Sequence, residues 1–444
     1  MAQEPESTAK RAELPMRLTR LRVKNFRSIA DIDIPLSPLT VLVGPNGSGK
    51  SNVVDALRFV RDVFARGLDQ AVMDREGMGV IQRWGTEGEG VTIGVTVELA
   101  EISRQIQNGI IISRDEPSSS IEYTFSFNET VDKKIFVISE AVEILAEATP
   151  AMSVSNQSGG IDVAYGNVKF EREEDELSKA TLKQLLQRPE KLFWSAEDVL
   201  FNDEKWLANY KDEEGYSWRR NGIAATRLEE ALERPVFYNL NPADLRQPQS
   251  VLKESPLDEK GRNLAAVLRH ISNGEKSGWN SLIFTLRQIV DGFDTLEVEK
   301  VGGYLATKLL YLSNDETPRI SYLGQESDGT IRMLGLLAAL FQEPSQLFIS
   351  IEEPEANIHP GALSVLAGIL DEASLRSQIL VTTHSPDMLD HLPVESFLVV
   401  EKVGDTTHVG PLDASQIASV RKRLFTPGEL FRMEGLQRQA ESAS

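Results

Sequence analysis

The chain has 444 residues and a net charge of −20, which argues against a protein that coats nucleic acid through bulk positive charge. It contains no cysteine, so disulfides, thiolate metal sites and a cysteine nucleophile are excluded. It has five histidines, too few to indicate a histidine-rich metal centre. The longest apolar run, near Leu334–Leu340, is far shorter than the ~20 residues that span a bilayer, and the polar N-terminus lacks the core of a secretory signal. We therefore expect a cytoplasmic protein that does not enter a membrane, with a disordered tail at 1–16.

The first part of the chain predicts two strands, a buried strand and a helix in succession. Apolar and polar residues alternate through Leu18–Val23 and Asp31–Ile34, as is typical of strands. Leu39–Val43 is a short apolar run that ends at a glycine, the pattern of a buried strand. Ser51–Phe64 then has apolar residues at helical spacing. We place a first lobe at 17–100.

The middle of the chain differs in composition and is predicted to be an inserted arm or docking region at 101–235. Residues 101–240 hold 26 acidic and 16 basic side chains, so half of the net charge lies there. Strand-like alternation at Ile121–Phe127 and Val163–Phe170 precedes an acidic run, Glu171–Glu176. Such an acidic region suits the docking of a protein better than contact with DNA.

Helices and apolar strands alternate through 236–444, which we take as a second lobe. This alternation predicts an α/β fold with a parallel or mixed sheet covered by helices. The predicted helices are Ile331–Phe341 and Leu363–Leu370, and the predicted strands are Gln346–Ile351, Gln378–Thr382 and Phe397–Val400.

The segment Gly44–Ser51 fits the phosphate-binding loop G-x-x-x-x-G-K-[S/T] in full, between a predicted strand and a predicted helix. Glycines allow backbone N–H groups to surround a phosphate, and the helix N-terminus adds its positive end. Lys50 should contact the β- and γ-phosphates of ATP, and the Ser51 hydroxyl should bind Mg²⁺. The predicted nucleotide-binding residues of this loop are Asn46, Gly47, Ser48, Gly49, Lys50, Ser51 and Asn52.

Two carboxylates follow the apolar strand near Ile351, and a histidine follows the next predicted strand. We expect Glu352 to hold Mg²⁺ and Glu353 to polarise the attacking water. Because the ends of parallel strands share one edge, His384 should lie at the same edge and sense the γ-phosphate. Taken alone, the two glutamates could equally be solvated residues at a strand end, and a single histidine is more often structural. The phosphate loop favours the catalytic interpretation of both motifs.

Together these residues resemble the ABC-type ATPase heads of the RecF and structural-maintenance-of-chromosomes (SMC) group. The nearest likeness is to small bacterial AAA-labelled predicted ATPases, to which several anti-phage defence ATPases are similar. Leu21–Ser28 is similar to the group's opening strand and turn, which implies a nucleotide contact by Arg27. Ser327, Asp328 and Gly329 lie where the group carries its signature motif, and they imply a second contact to nucleotide. The resemblance implies a P-loop NTPase fold with a mixed or parallel sheet, flanking helices and an inserted α+β region.

Three motifs match the group's pattern less closely. Gln82 corresponds to the Q-loop glutamine, which implies a metal contact, and a surface glutamine is an equal alternative. The signature is Glu-Ser-Asp-Gly-Thr where the group has Leu-Ser-Gly-Gly-Gln, so its glutamine is absent. Glu352 replaces the group's usual Walker B aspartate and is one methylene longer.

In this group, the signature helix of one protomer binds the γ-phosphate held by another, so ATP joins two heads. The resemblance therefore implies Mg²⁺-dependent ATP hydrolysis by a homodimer or higher homo-oligomer, acting as a switch in genome maintenance, DNA repair or phage defence. DNA or an effector such as a nuclease or toxin would be its partner. The alternative is an ATP-gated scaffold that hydrolyses slowly and regulates a bound protein. Basic clusters at Arg17–Arg27 and Arg421–Arg423 are the candidate DNA contacts, although such runs are usually solvated.

Overall fold

The computed structural model describes residues 16–86, 88–99, 102–107, 110–115, 119–130, 132–146, 168–173, 228–250, 256–274, 276–312 and 319–439. The expected N-terminal tail lies outside these ranges, apart from its last residue. So do the start of the strand predicted at Val163 and the end of the acidic run that begins at Glu171.

Eighteen strands are described, and twelve of them form one mixed sheet. The strands are β1 Met16–Phe26, β2 Ile29–Pro35, β3 Leu39–Val43, β4 Val91–Leu99, β5 Ile102–Gln107, β6 Ile110–Asp115, β7 Ser119–Glu129, β8 Ile135–Ala146, β9 Val168–Glu173, β10 Val236–Tyr238, β11 Gln249–Ser250, β12 Phe293–Val301, β13 Tyr304–Tyr311, β14 Arg319–Tyr322, β15 Phe348–Glu352, β16 Gln378–Thr383, β17 Phe397–Val403 and β18 Thr406–Pro411. The large sheet has the order β10-β15-β16-β3-β17-β18-β2-β1-β4-β7-β8-β9. Strands β11 to β14 form a second sheet, and β5 pairs with β6.

Eleven helices are bounded within the described residues, and 228–233 are also helical. The helices are α1 Lys50–Arg66, α2 Leu68–Met73, α3 Met78–Ile81, α4 Pro242–Leu245, α5 Leu264–Asn273, α6 Lys276–Ile289, α7 Asp328–Phe341, α8 Leu363–Ala373, α9 Pro386–Leu389, α10 Ala414–Arg421 and α11 Pro427–Met433. Single 3-10 turns occur at Leu323–Gln325, Pro360–Ala362 and Val394–Ser396. None of these helices is both long and apolar enough to cross a membrane.

The parallel half of the large sheet, from β10 to β17, is buried on both faces. Every residue of β3 and of β16 is buried, as expected for strands covered by helices on both sides. Successive side chains alternate between two cores: Val41 and Val43 join the core that contains α7, whereas Leu42 joins the core that contains α1. This double burial explains why these strands are continuous apolar runs in the sequence.

The register of the parallel strands brings three chemically active segments to one edge. Val43 pairs with Thr383 across β3 and β16, and Glu352 pairs with Thr382 across β15 and β16. The phosphate loop, the two glutamates and His384 therefore begin at neighbouring strand ends. This placement agrees with the predicted α/β sheet.

The antiparallel half of the sheet extends beyond residue 100 into the region predicted to be an insertion. Tyr123 and Phe127 of β7 pack on α1, with ring centroids 5.0 Å from Phe64 and 5.2 Å from Phe59. Strands β8 and β9 continue the same sheet to residue 173. The boundary expected at 100 thus falls inside the sheet, because the aromatic face of β7 is buried against the helix that follows the phosphate loop.

Candidate active site

The phosphate loop needs glycine at two positions for different reasons. Gly49 has φ +107° and a Cβ there would lie 2.1 Å from Oγ1 of Thr407, so both its conformation and its neighbour exclude a side chain. Gly47 has φ +76° but open space around it, so only its conformation favours glycine. The backbone of the loop is therefore packed closely on β18 at Gly49, whereas the space around Gly47 is open.

A series of hydrogen bonds connects the phosphate loop with the start of α1, the turn after β1 and strand β18. Nδ2 of Asn52 donates to Oγ of Ser28 at 2.6 Å, and the hydroxyls of Ser28 and Thr407 share a hydrogen bond of 2.7 Å. Thr407 in turn donates to the carbonyl of Ser48 at 2.9 Å. Asn52, predicted to bind nucleotide, thus braces the loop through Ser28. Neither Ser28 nor Thr407 was identified as a site residue from the sequence. Ser28 lies in the turn after β1 and Thr407 lies in β18, so both are distant from the loop along the chain.

One polar atom of the loop is buried without a partner in the described chain, namely Oγ of Ser48. A buried hydroxyl is normally hydrogen-bonded, and phosphate oxygens are suitable acceptors for it. Asn46 and Gly47, at the tip of the loop, are exposed. The loop therefore fits a phosphate group in both its backbone and its unpaired hydroxyl.

The ammonium group of Lys50 contacts backbone carbonyls of its own phosphate loop. Nζ donates to the carbonyls of Gly44 at 2.8 Å and Pro45 at 3.0 Å, and the side chain is buried. Burial lowers the pKa of Lys50, while the nearby carboxylates, Glu353 first among them, oppose this effect. The lysine is thus a desolvated cation beside the loop that would receive the phosphates.

Ser51 and Glu352 meet at the start of α1 and the end of β15. The hydroxyl of Ser51 donates to Oε2 of Glu352 at 2.7 Å, and Nη2 of Arg58 lies 3.9 Å from Oε1. A hydroxyl and one carboxylate are donors that Mg²⁺ accepts when phosphates and water complete its shell. The described residues contain no group of three or more His, Asp or Glu arranged as a metal site, so the protein itself would supply only part of such a shell.

Glu353 has a left-handed backbone that its neighbours stabilise. Its φ is +46°, a conformation that costs on the order of 1–3 kcal/mol for a non-glycine residue. Its amide donates to the carbonyl and hydroxyl oxygens of Thr382 at 3.0 and 3.2 Å, and its carbonyl accepts from Arg332 at 2.7 Å. Nδ1 of His384 lies 3.1 Å from Oε1 of Glu353, and both side chains are partly exposed. The structure thus brings the two predicted catalytic residues into contact.

A third carboxylate, Glu355, was not identified from the sequence. Its side chain is buried, one oxygen accepts from the hydroxyl of Thr383, and Oε2 has no partner in the described chain. Thr383 also accepts from the amide of Ser385 at 3.0 Å. Burial raises the pKa of Glu355. The sequence signal was an acid within Pro-Glu-Ala-Asn, two residues after Glu353.

The predicted signature residues form the N-terminus of α7. Oγ of Ser327 accepts from the amide of Thr330 at 3.1 Å, as an N-cap does, and Asp328 is paired with Arg246 at 2.6 Å. Gly329 is packed so closely that a Cβ would lie 2.5 Å from the carbonyl oxygen of Asn357. Ser327 itself is exposed, so this helix end is accessible from outside the chain.

Arg27 and Gln82 lie beside each other but make other contacts than those predicted. Nε of Arg27 donates to Asp55 on α1 at 2.8 Å, and its amide donates to the carbonyl of Ile81. The amide group of Gln82 donates to the carbonyl of Thr86 at 2.8 Å. In the described structure neither side chain contacts Ser51 or Glu352, and their roles toward nucleotide and metal stay predictions.

Residues 39–390 match the profile of a family described as "AAA domain, putative AbiEii toxin, Type IV TA system". The match spans the phosphate loop, both glutamates, the signature residues and His384, and covers more than half of the chain. The chain belongs to this family. Together with the topology of the large sheet, the match identifies the chain as an ABC-type ATPase of the RecF/SMC-like kind.

Two relatives match shorter stretches of the chain in sequence, and one solved structure is similar over most of its length. It is 58% identical over 43 residues to the OLD nuclease of Thermus scotoductus, covering 10% of this chain and 8% of that protein. It is 32% identical over 108 residues to the DNA replication and repair protein RecF of Chlorobium phaeobacteroides, covering 23% of this chain and 28% of RecF. A crystal structure of the Smc head bound to the C-winged helix domain of ScpA covers 90% of this chain and 99% of that chain, at 15% identity and a TM-score of 0.49. The sequence matches span less than a third of these relatives.

Proposed function

We propose that the chain binds ATP with Mg²⁺ and hydrolyses it to ADP and phosphate. The observation that carries this proposal is the pair of contacts at adjoining strand ends, Ser51 with Glu352 and Glu353 with His384. One pair offers metal donors beside the phosphate loop, and the other offers a base oriented by a histidine. Family membership supports the same chemistry.

Each residue has a separate task in this proposal. The loop amides and Lys50 bind the phosphates, which would replace the carbonyls of Gly44 and Pro45 as partners of the ammonium. Mg²⁺, held by Ser51 and Glu352, would neutralise charge on the phosphates. Glu353 accepts the proton of the attacking water at its carboxylate, and His384 keeps that carboxylate in place.

We further propose that two chains close around ATP. Ser327 is exposed at the N-terminus of a 14-residue helix, and the hydrogen bonds of its side chain in the described structure are to Thr330 alone. Such a helix end suits an anion supplied by a second molecule. The closed dimer would act as a switch that engages DNA or an effector in genome maintenance or phage defence. The family description, which names a toxin, and the nuclease and repair relatives support that setting.

Two variants and a control test the catalytic proposal. Glu353→Gln keeps size and hydrogen bonding but removes the base, so turnover should fall by about 10²-fold or more while ATP binding persists. Lys50→Ala should instead abolish ATP binding, measured by calorimetry, because it removes the buried cation of the loop. Glu372→Gln, an exposed glutamate of α8, should behave as the wild type. If Glu353→Gln and wild type hydrolyse ATP equally slowly, the protein is an ATP-gated scaffold and the hydrolytic proposal is wrong.

A further inference from the structure

The signature helix carries a buried arginine that contacts the backbone of the two Walker B glutamates. Nη2 of Arg332 donates to the carbonyl of Glu353 at 2.7 Å and to that of Glu352 at 3.2 Å. Nη1 donates to the carbonyl of Leu240, which follows β10. One guanidinium group therefore connects α7, the end of β15 and the segment after β10.

Burial of the Arg332 side chain is energetically unfavourable, and its hydrogen-bond partners are specific. Arg332 lies five residues after Ser327 and is 7% exposed, on a helix whose other side chains from Ile331 to Phe341 are apolar and buried. A buried cation is unfavourable unless its donors are satisfied. Here two of its three nitrogens are satisfied by carbonyl oxygens, and two of the three acceptors belong to the residues expected to carry the chemistry.

Glu353 has a backbone conformation that needs such support. Its left-handed backbone, with φ +46°, turns the chain where β15 ends. Thr382 holds the amide side of this residue, and Arg332 holds the carbonyl side. The direction of the Glu353 carboxylate depends on both peptide planes, and so on the place of the guanidinium group.

We infer that Arg332 is a positioning residue for ATP hydrolysis, which orients Glu353 from the signature helix of the same chain. This inference rests on the proposed hydrolytic function. Gly329, packed on Asn357, provides a second contact between the same helix and the segment after Glu353. If a bound phosphate displaced Ser327, α7 would therefore move with it and shift the carboxylate of Glu353 in the same chain.

The test compares Arg332, which lies on α7, with Arg376, which follows α8 and contacts the C-terminal end of α7. Arg332→Lys keeps the charge, but a single ammonium cannot reach both Leu240 and Glu353 as the guanidinium fork does. Arg332→Met removes the donors while keeping an apolar stem. The control is Arg376→Met, since Arg376 donates to the carbonyl of Leu340 at 2.8 Å near the C-terminus of the same helix. All variants are assayed as the 444-residue chain for melting temperature, ATP dissociation constant and kcat.

Arg332→Lys should lower kcat roughly tenfold, the effect of one lost charged hydrogen bond, with an unchanged ATP dissociation constant. Arg332→Met should lower kcat further, whereas Arg376→Met should reduce the melting temperature without lowering kcat. The inference is wrong if kcat of Arg332→Lys equals that of the wild type, or if ATP binding weakens in proportion to activity. It is also wrong if neither Arg332 variant folds, since the residue would then be purely structural. A wild-type activity that Glu353→Gln leaves unchanged contradicts the proposed function instead.

Discussion

The Ser51 hydroxyl donates a hydrogen bond of 2.7 Å to Oε2 of Glu352, across 301 positions of the chain. The contact follows from the sheet order, in which β16 separates β3 from β15 and all three run parallel. Glu352 makes this contact with a side chain one methylene longer than the aspartate that is usual at this position in the resembling group. Shortening the side chain by one carbon–carbon bond would withdraw the carboxylate by about 1.5 Å.

This contact predicts a Mg²⁺-dependent defect in two variants. Glu352→Gln removes the negative charge and Ser51→Ala removes the hydroxyl, so each should raise the Mg²⁺ concentration for half-maximal turnover by about tenfold or more. Turnover is measured at saturating ATP over a series of free Mg²⁺ concentrations, with Glu372→Gln as the control. Unshifted Mg²⁺ curves in both variants would place the metal elsewhere.

The phosphate loop predicts different effects for two glycines with similar backbones. Gly47→Ala meets only an unfavourable φ, so it should cost about 1 kcal/mol of stability. Gly49→Ala adds a steric clash with Thr407 on β18, so it should displace the loop and abolish ATP binding. Melting temperature and calorimetric ATP affinity separate the two variants. Equal losses of ATP affinity would mean that the contact with Thr407 does not shape the loop.

Sequence patterns predicted the parallel half of the fold and the residues at its edge. Continuous apolar runs with flanking motifs indicate the strands of Leu39–Val43 and Gln378–Thr382, because both faces of these strands are buried. The extension of the large sheet to residue 173 was not predicted. Alternation at Ile121–Phe127 reveals a strand but not its partner. Its antiparallel pairing with β4 and its packing on Phe59 and Phe64 assign it to the first lobe.

The supporting residues of the site were also beyond sequence analysis. Thr407 reaches the phosphate loop, and Arg332 reaches the backbone of Glu353, through contacts between distant segments. Threonine in a strand and arginine in a helix carry no motif that distinguishes these roles. Their identification depends on knowing which strand ends and helix faces meet.

Burial of Glu355 predicts that the contribution of this carboxyl to the stability of the fold decreases as pH rises. Because its pKa is raised in the folded state, the folded chain binds more protons than the unfolded chain between the two pKa values. The contribution of Glu355 to the free energy of unfolding is therefore fully present below the unfolded pKa and is lost as pH rises through the folded pKa. Glu355→Gln removes this carboxyl and still offers an oxygen to Thr383, so it should melt at a higher temperature than the wild type at neutral pH. The difference should shrink in acid, and a constant difference across pH would contradict the assignment to Glu355.

The exposed N-terminus of α7 predicts that two defective chains rescue each other. If each site takes Lys50 from one chain and Ser327 from the other, Lys50→Ala and Ser327→Asp are each inactive alone. The carboxylate introduced by Ser327→Asp would preserve the helix cap while repelling the γ-phosphate, so this variant should fold as well as the wild type. In a mixed dimer one site combines an intact Lys50 with an intact Ser327, and the other site carries both lesions.

Mixing the two proteins should therefore restore part of the wild-type turnover, whereas either protein alone at the same total concentration should not. Glu353→Gln should shift toward a dimer when ATP is added, as seen by light scattering, and the double variant Glu353→Gln, Ser327→Asp should not. A mixture that remains inactive, together with no ATP-dependent change in mass, would contradict closure around ATP. The exposed signature serine would then act within its own chain, and Arg332 would connect it to Glu353 without a second protomer.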